Sequence, residues 1–296
     1  MMVKEITLGH TPDADDAFMF YALSSGKVKS DSFTIRHVIQ DIETLNRRAL
    51  LHELDVTAVS AHAYAYLKDY VILKSGASFG LSYGPIVIAK KERKKKMIMM
   101  SSPSSLSSAS PDYLQRSTIA IPGKMTSANL LLKLAIGNGF KEVEMPFNKI
   151  PDAVAEDKVD AGLIIHEAQI TYDKSKFASV LDLGSWWSDN TNGELPVPLG
   201  INVASSRSMS KDQIKKFSSL FAESIAYGLD NIDAAVDYAM QYGRGQPKET
   251  ITKFVKMYVN DLTLDMGSSG IQAIEKMFAM AKERKIIGAD VAVEVL

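Results

Sequence analysis

Along the first two thirds of the chain, short apolar or alternating runs are each followed by a segment with helical spacing. Val3–Gly9 alternates as a strand and runs into the loop His10-Thr-Pro-Asp-Ala-Asp-Asp16. Ala17–Leu23 then spaces as a helix that Gly26 closes. Phe33–Ile39 reads as a second strand, and Asp41 precedes a helix with apolar positions at Ile42, Leu45, Ala49 and Leu50. Val56–Ser60 ends as a strand, Ala61–Leu67 follows as a helix, and Val71–Leu73 and Gly84–Ala89 give two more strands. Repeated strand–helix units predict a parallel sheet with helices on its faces.

The pattern breaks at residues 90–117, where a basic run is followed by a Ser-rich stretch holding Pro103 and Pro111. A lone basic run in a neutral chain predicts a solvated loop, here a mobile Lys/Ser-rich insertion. Thr118–Ile121 restarts the alternation and passes through Pro122–Ser127 into a helix, Ala128–Ile136. Val143–Phe147 reads as a strand and Asn148–Lys158 as a helix. Leu163-Ile-Ile165 then forms an apolar run that fits a central strand buried on both faces. After Ile201–Ala204 the chain turns helical: Lys211–Leu229, Ile232–Tyr242, Lys248–Val259 and Gly270–Arg284. Ser210 and Asn231 suit N-caps and Pro247 a first helical position. The methionine stripes in these helices predict core.

Two strand–helix blocks with a helical last third predict an α/β architecture of two lobes with a ligand cleft between them. The expected boundaries are 1–88 plus 202–296 for the first lobe and 89–201 for the second, inserted one. A cleft of that kind binds small molecules and closes by hinge motion.

Composition narrows the function. The chain has 296 residues, 46% apolar and 23% charged, with a formal net charge of -1. That balance supplies no field for nucleic acid or an anionic membrane. Cysteine is absent, which removes disulfides, thiolate metal sites and cysteine nucleophiles. The N-terminal stretch carries Glu5 and no long apolar region, and no apolar run reaches spanning length. A soluble, cytoplasmic protein is expected, as a monomer or a homodimer.

The candidate chemistry starts at His166, where the apolar run stops. An imidazole at the carboxyl end of a central strand sits where open α/β sheets bind ligands, and its ordinary pKa suits proton abstraction. The alternative is a hydrogen-bonded structural histidine. Glu167 is a poor orienting partner for it, because neighbouring strand residues point to opposite faces. Thr126-Ser127 and Ser60-Ala61 each follow a strand and open a helix, which suits an anion or, more simply, a helix cap. Gly123-Lys124 resembles the end of a Walker loop but lacks its upstream glycine. Asp13, Asp15 and Asp16 read as a cap, a metal site or acid/base groups, and their spacing matches no calcium loop. Trp186-Trp187 reads as a packed hinge or as a wall for an aromatic substrate. No Gly-x-Ser-x-Gly turn supports serine hydrolase chemistry.

Several segments together resemble the 1,4-dihydroxy-6-naphthoate synthase family of the futalosine route to menaquinone. They are Thr11–Leu23, Asp41–Asn46, Gly162–Glu167 with Thr171-Tyr172, and Asp182–Trp187 closing on Pro196–Gly200. The resemblance implies a periplasmic-binding-protein type II-like fold. It also implies a cytoplasmic carbon-carbon lyase that converts cyclic dehypoxanthinyl futalosine to 1,4-dihydroxy-6-naphthoate without metal or organic cofactor. The partner it implies is a small anionic aromatic substrate. Carried over, His166 matches the family's base, and Asn46, Ser60, Ala61, Thr126 and Ser127 match substrate-contacting positions. Asp13, Asp16 and Trp187 are secondary candidates. The first loop departs from the family's better-known Pro-Cys-Pro-Asn-Asp, and the Lys/Ser-rich insertion is longer than expected. Three rival readings remain: chorismate dehydratase of the same pathway, a solute-binding protein for a small carboxylate, and a DNA-associated ligand sensor.

Overall fold

The computed structural model describes residues 3–94, 111–288 and 290–296. The chain divides into two compact units. The first is built from residues 1–79, 198–275 and 291–296, and the second from 80–197 and 276–290.

The sheet of the first unit has the order β2-β1-β3-β11-β4, with β5 pairing on β11. These strands are β1 (Lys4–His10), β2 (Phe33–Ile39), β3 (Val56–Ser60), β4 (Tyr70–Ile72), β5 (Ser78–Gly80) and β11 (Val197–Ser205). β1 runs parallel to β2 and β3, as the strand–helix repeat predicts. β11 enters between β3 and β4 antiparallel to both, so the sheet is mixed. Local sequence cannot reveal this, because β11 pairs with strands far upstream in the chain. Helix Ala14–Ser24 closes at Gly26, whose φ of +67° is the left-handed conformation that glycine adopts without strain. Phe20 of this helix stacks on Phe221, with ring centroids 4.4 Å apart and planes 3° from parallel.

The second unit has the order β10-β6-β9-β7-β8. Its strands are β6 (Ile86–Lys90), β7 (Thr118–Ile121), β8 (Lys141–Glu144), β9 (Ala161–Ile164) and β10 (Phe177–Asp182). β9 is central and wholly buried, parallel to β7 and antiparallel to β6. A Cβ on Gly162 would lie 2.4 Å from Ile150 Cγ2, so only glycine lets helix Ile150–Ala155 pack this closely on β9.

Several local expectations shift. The strand expected at Val143–Phe147 ends at Glu144, and Phe147–Lys149 forms a 3₁₀ turn, since Pro146 cannot donate to a ladder. Trp186-Trp187 lies on helix Leu183–Asn190, where Asp182 accepts from Ser185 N at 3.0 Å as the N-cap. Pro111 opens a short helix, Pro111–Gln115. Ser210 caps its helix in a capping box with Gln213, whereas Asn231 makes no side-chain cap bond and donates instead to Tyr227 O. Most of the insertion expected at 90–117, namely 95–110, lies outside the described residues. Among the described residues no helix is long and apolar enough to cross a membrane.

Candidate functional site

Parallel pairing controls where the candidate residues stand. In the second unit β7, β8 and β9 run the same way, with Ala120 level with both Val143 and Gly162. Their carboxyl ends therefore leave the sheet along one edge. From that edge β7 leads to Thr126-Ser127, β8 to Phe147, and β9 to His166.

His166 is not a strand residue. β9 stops at Ile164, and His166 takes a left-handed backbone with φ of +55°. A non-glycine residue in that region costs about 1–2 kcal/mol, and such strain clusters at functional sites. Strand alternation therefore says nothing about His166 and Glu167. The imidazole is half-buried and meets the Phe147 ring edge-on, with centroids 4.8 Å apart and planes at 62°. Its backbone carbonyl accepts from Gln169 N at 3.2 Å, which ties the turn to the short helix Ala168–Thr171.

Thr126 is the N-cap of helix Ser127–Ile136. Its hydroxyl accepts from Asn129 N at 3.2 Å and donates to Gly123 O at 2.8 Å. Ten residues of helix direct a positive dipole end at this turn. Trp187 is fully buried in the second unit, and its indole N–H donates to Leu195 O at 3.0 Å.

The first unit repeats the geometry with different chemistry. β1, β2 and β3 are parallel, and their carboxyl ends carry the loop 11–13 with the first turn of helix Ala14–Ser24, the helix Ile42–Leu50 and Ser60-Ala61; the loop expected to run to Asp16 thus ends at Asp13. Asn46 and Ser60 form a reciprocal buried pair. Asn46 Nδ2 donates to Ser60 Oγ at 3.1 Å, and Ser60 N donates to Asn46 Oδ1 at 2.8 Å. Ser60 thus makes no side-chain cap bond, and the helix it precedes, Ala61–Tyr64, is a single turn rather than the longer helix expected.

Asp13, the N-cap residue of helix Ala14–Ser24, and Asp15 and Asp16 of its first turn stand in three environments. Asp13 forms an ion pair with Arg244, whose Nη2 also donates to Pro12 O at 3.0 Å. Asp16 accepts from Thr11 N at 2.6 Å. Asp15 is buried, and its Oδ1 meets no hydrogen-bond partner. Burial first, then the carboxylates of Asp16 and Asp13, push the Asp15 carboxyl well above its ordinary value. Among the described residues no three His, Cys, Asp or Glu side chains are grouped to hold a metal ion.

Sequence reasoning passed over three contributors to these edges. Arg244 stands in an interruption, Tyr242-Gly-Arg-Gly245, with its own φ at +49°. Phe147 was read as the end of a strand. His10 at the end of β1 lies 3.1 Å (Nε2 to Nδ1) from His37 on β2. Burial lowers the pKa of His10, while burial and the neighbouring His10 bring His37 to about 4.

Comparison with known proteins agrees with this architecture. A family profile described as menaquinone biosynthesis matches residues 6–283. A curated 1,4-dihydroxy-6-naphthoate synthase from Thermus thermophilus is 36% identical over 283 residues, covering 95% of this chain and 96% of that one. A crystal structure of a protein from Archaeoglobus fulgidus superposes with a TM-score of 0.85 at 47% identity, covering 96% of this chain and 98% of that one. A Candida albicans protein described as having the generic periplasmic binding protein fold gives a TM-score of 0.68 at 14% identity, which speaks for the fold alone; it covers 97% of this chain and 92% of that one. The fold is therefore that of the periplasmic binding proteins, and the chain belongs to the menaquinone-biosynthesis family that includes 1,4-dihydroxy-6-naphthoate synthase.

Proposed function

We propose that this protein is a lyase that converts cyclic dehypoxanthinyl futalosine to 1,4-dihydroxy-6-naphthoate, with His166 as general base. The observation that carries the reading is the shared edge of β7, β8 and β9, where a half-buried imidazole on a strained turn accompanies a helix N-terminus. In this reading the amides at Thr126-Ser127 hold the substrate's aryl carboxylate. The His166 imidazole takes a carbon-bound proton. The electron pair left behind expels the sugar fragment, and the ring system gains aromaticity. Aromatisation supplies driving force, so one positioned base suffices. Phe147 fixes the plane of the imidazole by its edge-on contact.

The direct test is incubation of the purified protein with the cyclic futalosine derivative, followed by mass detection of the naphthoate. Loss of water from chorismate, with no naphthoate formed, would move the assignment to chorismate dehydratase. Binding of the substrate without turnover would favour a solute-binding role. For His166→Ala we expect kcat to fall by about 10²–10⁴-fold, the usual contribution of a general base. Substrate affinity should stay within about tenfold, roughly 1.4 kcal/mol. Full turnover in that variant would remove His166 from the mechanism.

A further inference from the structure

The first unit contains a cavity of about 550 Å³ beside edge strand β2, lined also by the turn after helix Ala14–Ser24 and by Tyr238 and Tyr242. It is within the size range of small-molecule sites. The reading of the catalytic edge uses none of its lining residues.

Hydrogen bonding fixes the polarity of its floor. Thr11 O can only accept, so His10 Nδ1, 3.2 Å away, carries the hydrogen. His10 Nε2 is then a lone pair, and His37 Nδ1 at 3.1 Å must donate to it. A neutral His37 is left with a lone pair on Nε2, and His37 lines the cavity. Both rings favour the neutral form, through burial and, for His37, the adjacent His10. The cavity therefore presents a fixed hydrogen-bond acceptor.

Its walls combine an apolar and aromatic stripe with the polar side chains of Ser24, Ser30 and Thr34. Phe33, Ile35 and Ile39 share the face of β2 that carries His37, by the two-residue period of a strand. Tyr238 and Tyr242, with ring centroids 6.1 Å apart, line the same space. Lys29 also lines it, is solvent-exposed, and makes no ion pair among the described residues.

We propose that this cavity is a binding site for a hydroxylated aromatic carboxylate. The aromatic ring packs on the β2 stripe and the tyrosines, the hydroxyl donates to His37 Nε2, and the carboxylate meets the Lys29 ammonium. The product of the proposed reaction is of this class, so the product itself is a candidate ligand of this cavity. That extension rests on the proposed function, whereas binding itself does not.

The test is calorimetric titration of the full chain near neutral pH with 6-hydroxy-2-naphthoate, and with 6-methoxy-2-naphthoate, which lacks the donor. The hydroxy compound should bind the wild type at least about tenfold more tightly, roughly 1.4 kcal/mol. Lys29→Glu, a surface change, and His37→Ala should each weaken it by a similar factor, while His166→Ala leaves it intact. Equal affinity for the two compounds, no binding at millimolar concentration, or unchanged binding in Lys29→Glu would overturn the proposal. So would binding that disappears in His166→Ala, since the probe would then occupy the catalytic edge. Should His37→Ala not fold, the methoxy compound and Lys29→Glu still decide. Failure of the proposed reaction reads out separately, as absence of naphthoate from the cyclic futalosine derivative.

Discussion

The carboxyl edges of the two sheets use the same backbone plan for opposite chemistry. In the first unit the polar groups are buried and bound to one another: Asn46 with Ser60, Asp13 with Arg244, Asp16 with Thr11 N. In the second unit the notable group is a half-buried imidazole on a strained, left-handed backbone. An edge whose side chains satisfy each other gives a fixed pattern of donors and acceptors, which suits recognition. An edge that keeps a titratable side chain partly exposed suits a step in which a proton moves. Mutations should separate the two, with the first unit answering in stability and the second in turnover.

The largest stability effect is expected at Arg244. Its partner Asp13 has a side chain only 3% exposed, so Arg244→Ala leaves a carboxylate buried without its cation. Such a loss costs about 3–5 kcal/mol. Denaturant titration should show this, and adding Asp13→Asn to Arg244→Ala should recover much of it. A loss below about 1 kcal/mol would mean that the pair is a solvated surface contact, of the weak kind.

Asn46→Ala removes both bonds to Ser60 and leaves the Ser60 amide without its acceptor in a fully buried place. An unsatisfied buried group costs about 1–3 kcal/mol. A double-mutant cycle with Ser60→Ala should give a coupling of at least about 0.5 kcal/mol. Additive effects would mean that the two residues act separately.

Asp15 tests the electrostatics of the first edge. Its folded pKa is raised, so the folded state holds the proton more tightly than the unfolded chain does. The penalty is absent below the unfolded value and grows as pH rises toward the folded one. Asp15→Asn removes the titration and should raise Tm at neutral pH. The gain should vanish at acid pH below the ordinary carboxylate range. A gain independent of pH would point to packing instead.

How far the sequence carried this picture depends on the range of each interaction. Helices and strands were legible because periodicity is local: the helix read at Ala17–Leu23 lies inside Ala14–Ser24, and the apolar run at Leu163–Ile165 overlaps β9, with both starts misplaced by two or three residues. Strand partners were not, since β11 pairs with β3 through Gly200 opposite Ser60. The place of His166 just past the end of β9 was legible because an apolar run stops there, although its left-handed turn was not. The fates of Asp13, Asp15 and Asp16 were unreadable, because identical side chains diverge only when Arg244, 231 residues away, reaches the first of them. Ser60 and Thr126 looked alike as strand-to-helix turns. Only the position of Asn46 distinguishes a side-chain partner from a plain cap.

The smallest expected effect is the most informative about the second edge. His166 has φ of +55°, a conformation that costs a side-chain-bearing residue about 1–2 kcal/mol and glycine almost nothing. His166→Gly therefore relieves strain, while it adds roughly 0.5–1 kcal/mol of unfolded-chain entropy and gives up the edge contact with Phe147. These terms nearly cancel, so the net stability change should lie within about 1 kcal/mol of zero, with turnover abolished. Were the His166 side chain required to hold the turn, its removal would unfold the turn and cost several kcal/mol. His166→Asn is the control, because asparagine tolerates the left-handed region and keeps a polar side chain but cannot act as a base near neutrality. If both variants keep their stability and lose the reaction, the strain at this turn is maintained for chemistry. If both lose stability together, His166 is a structural residue and the contrast between the two edges fails.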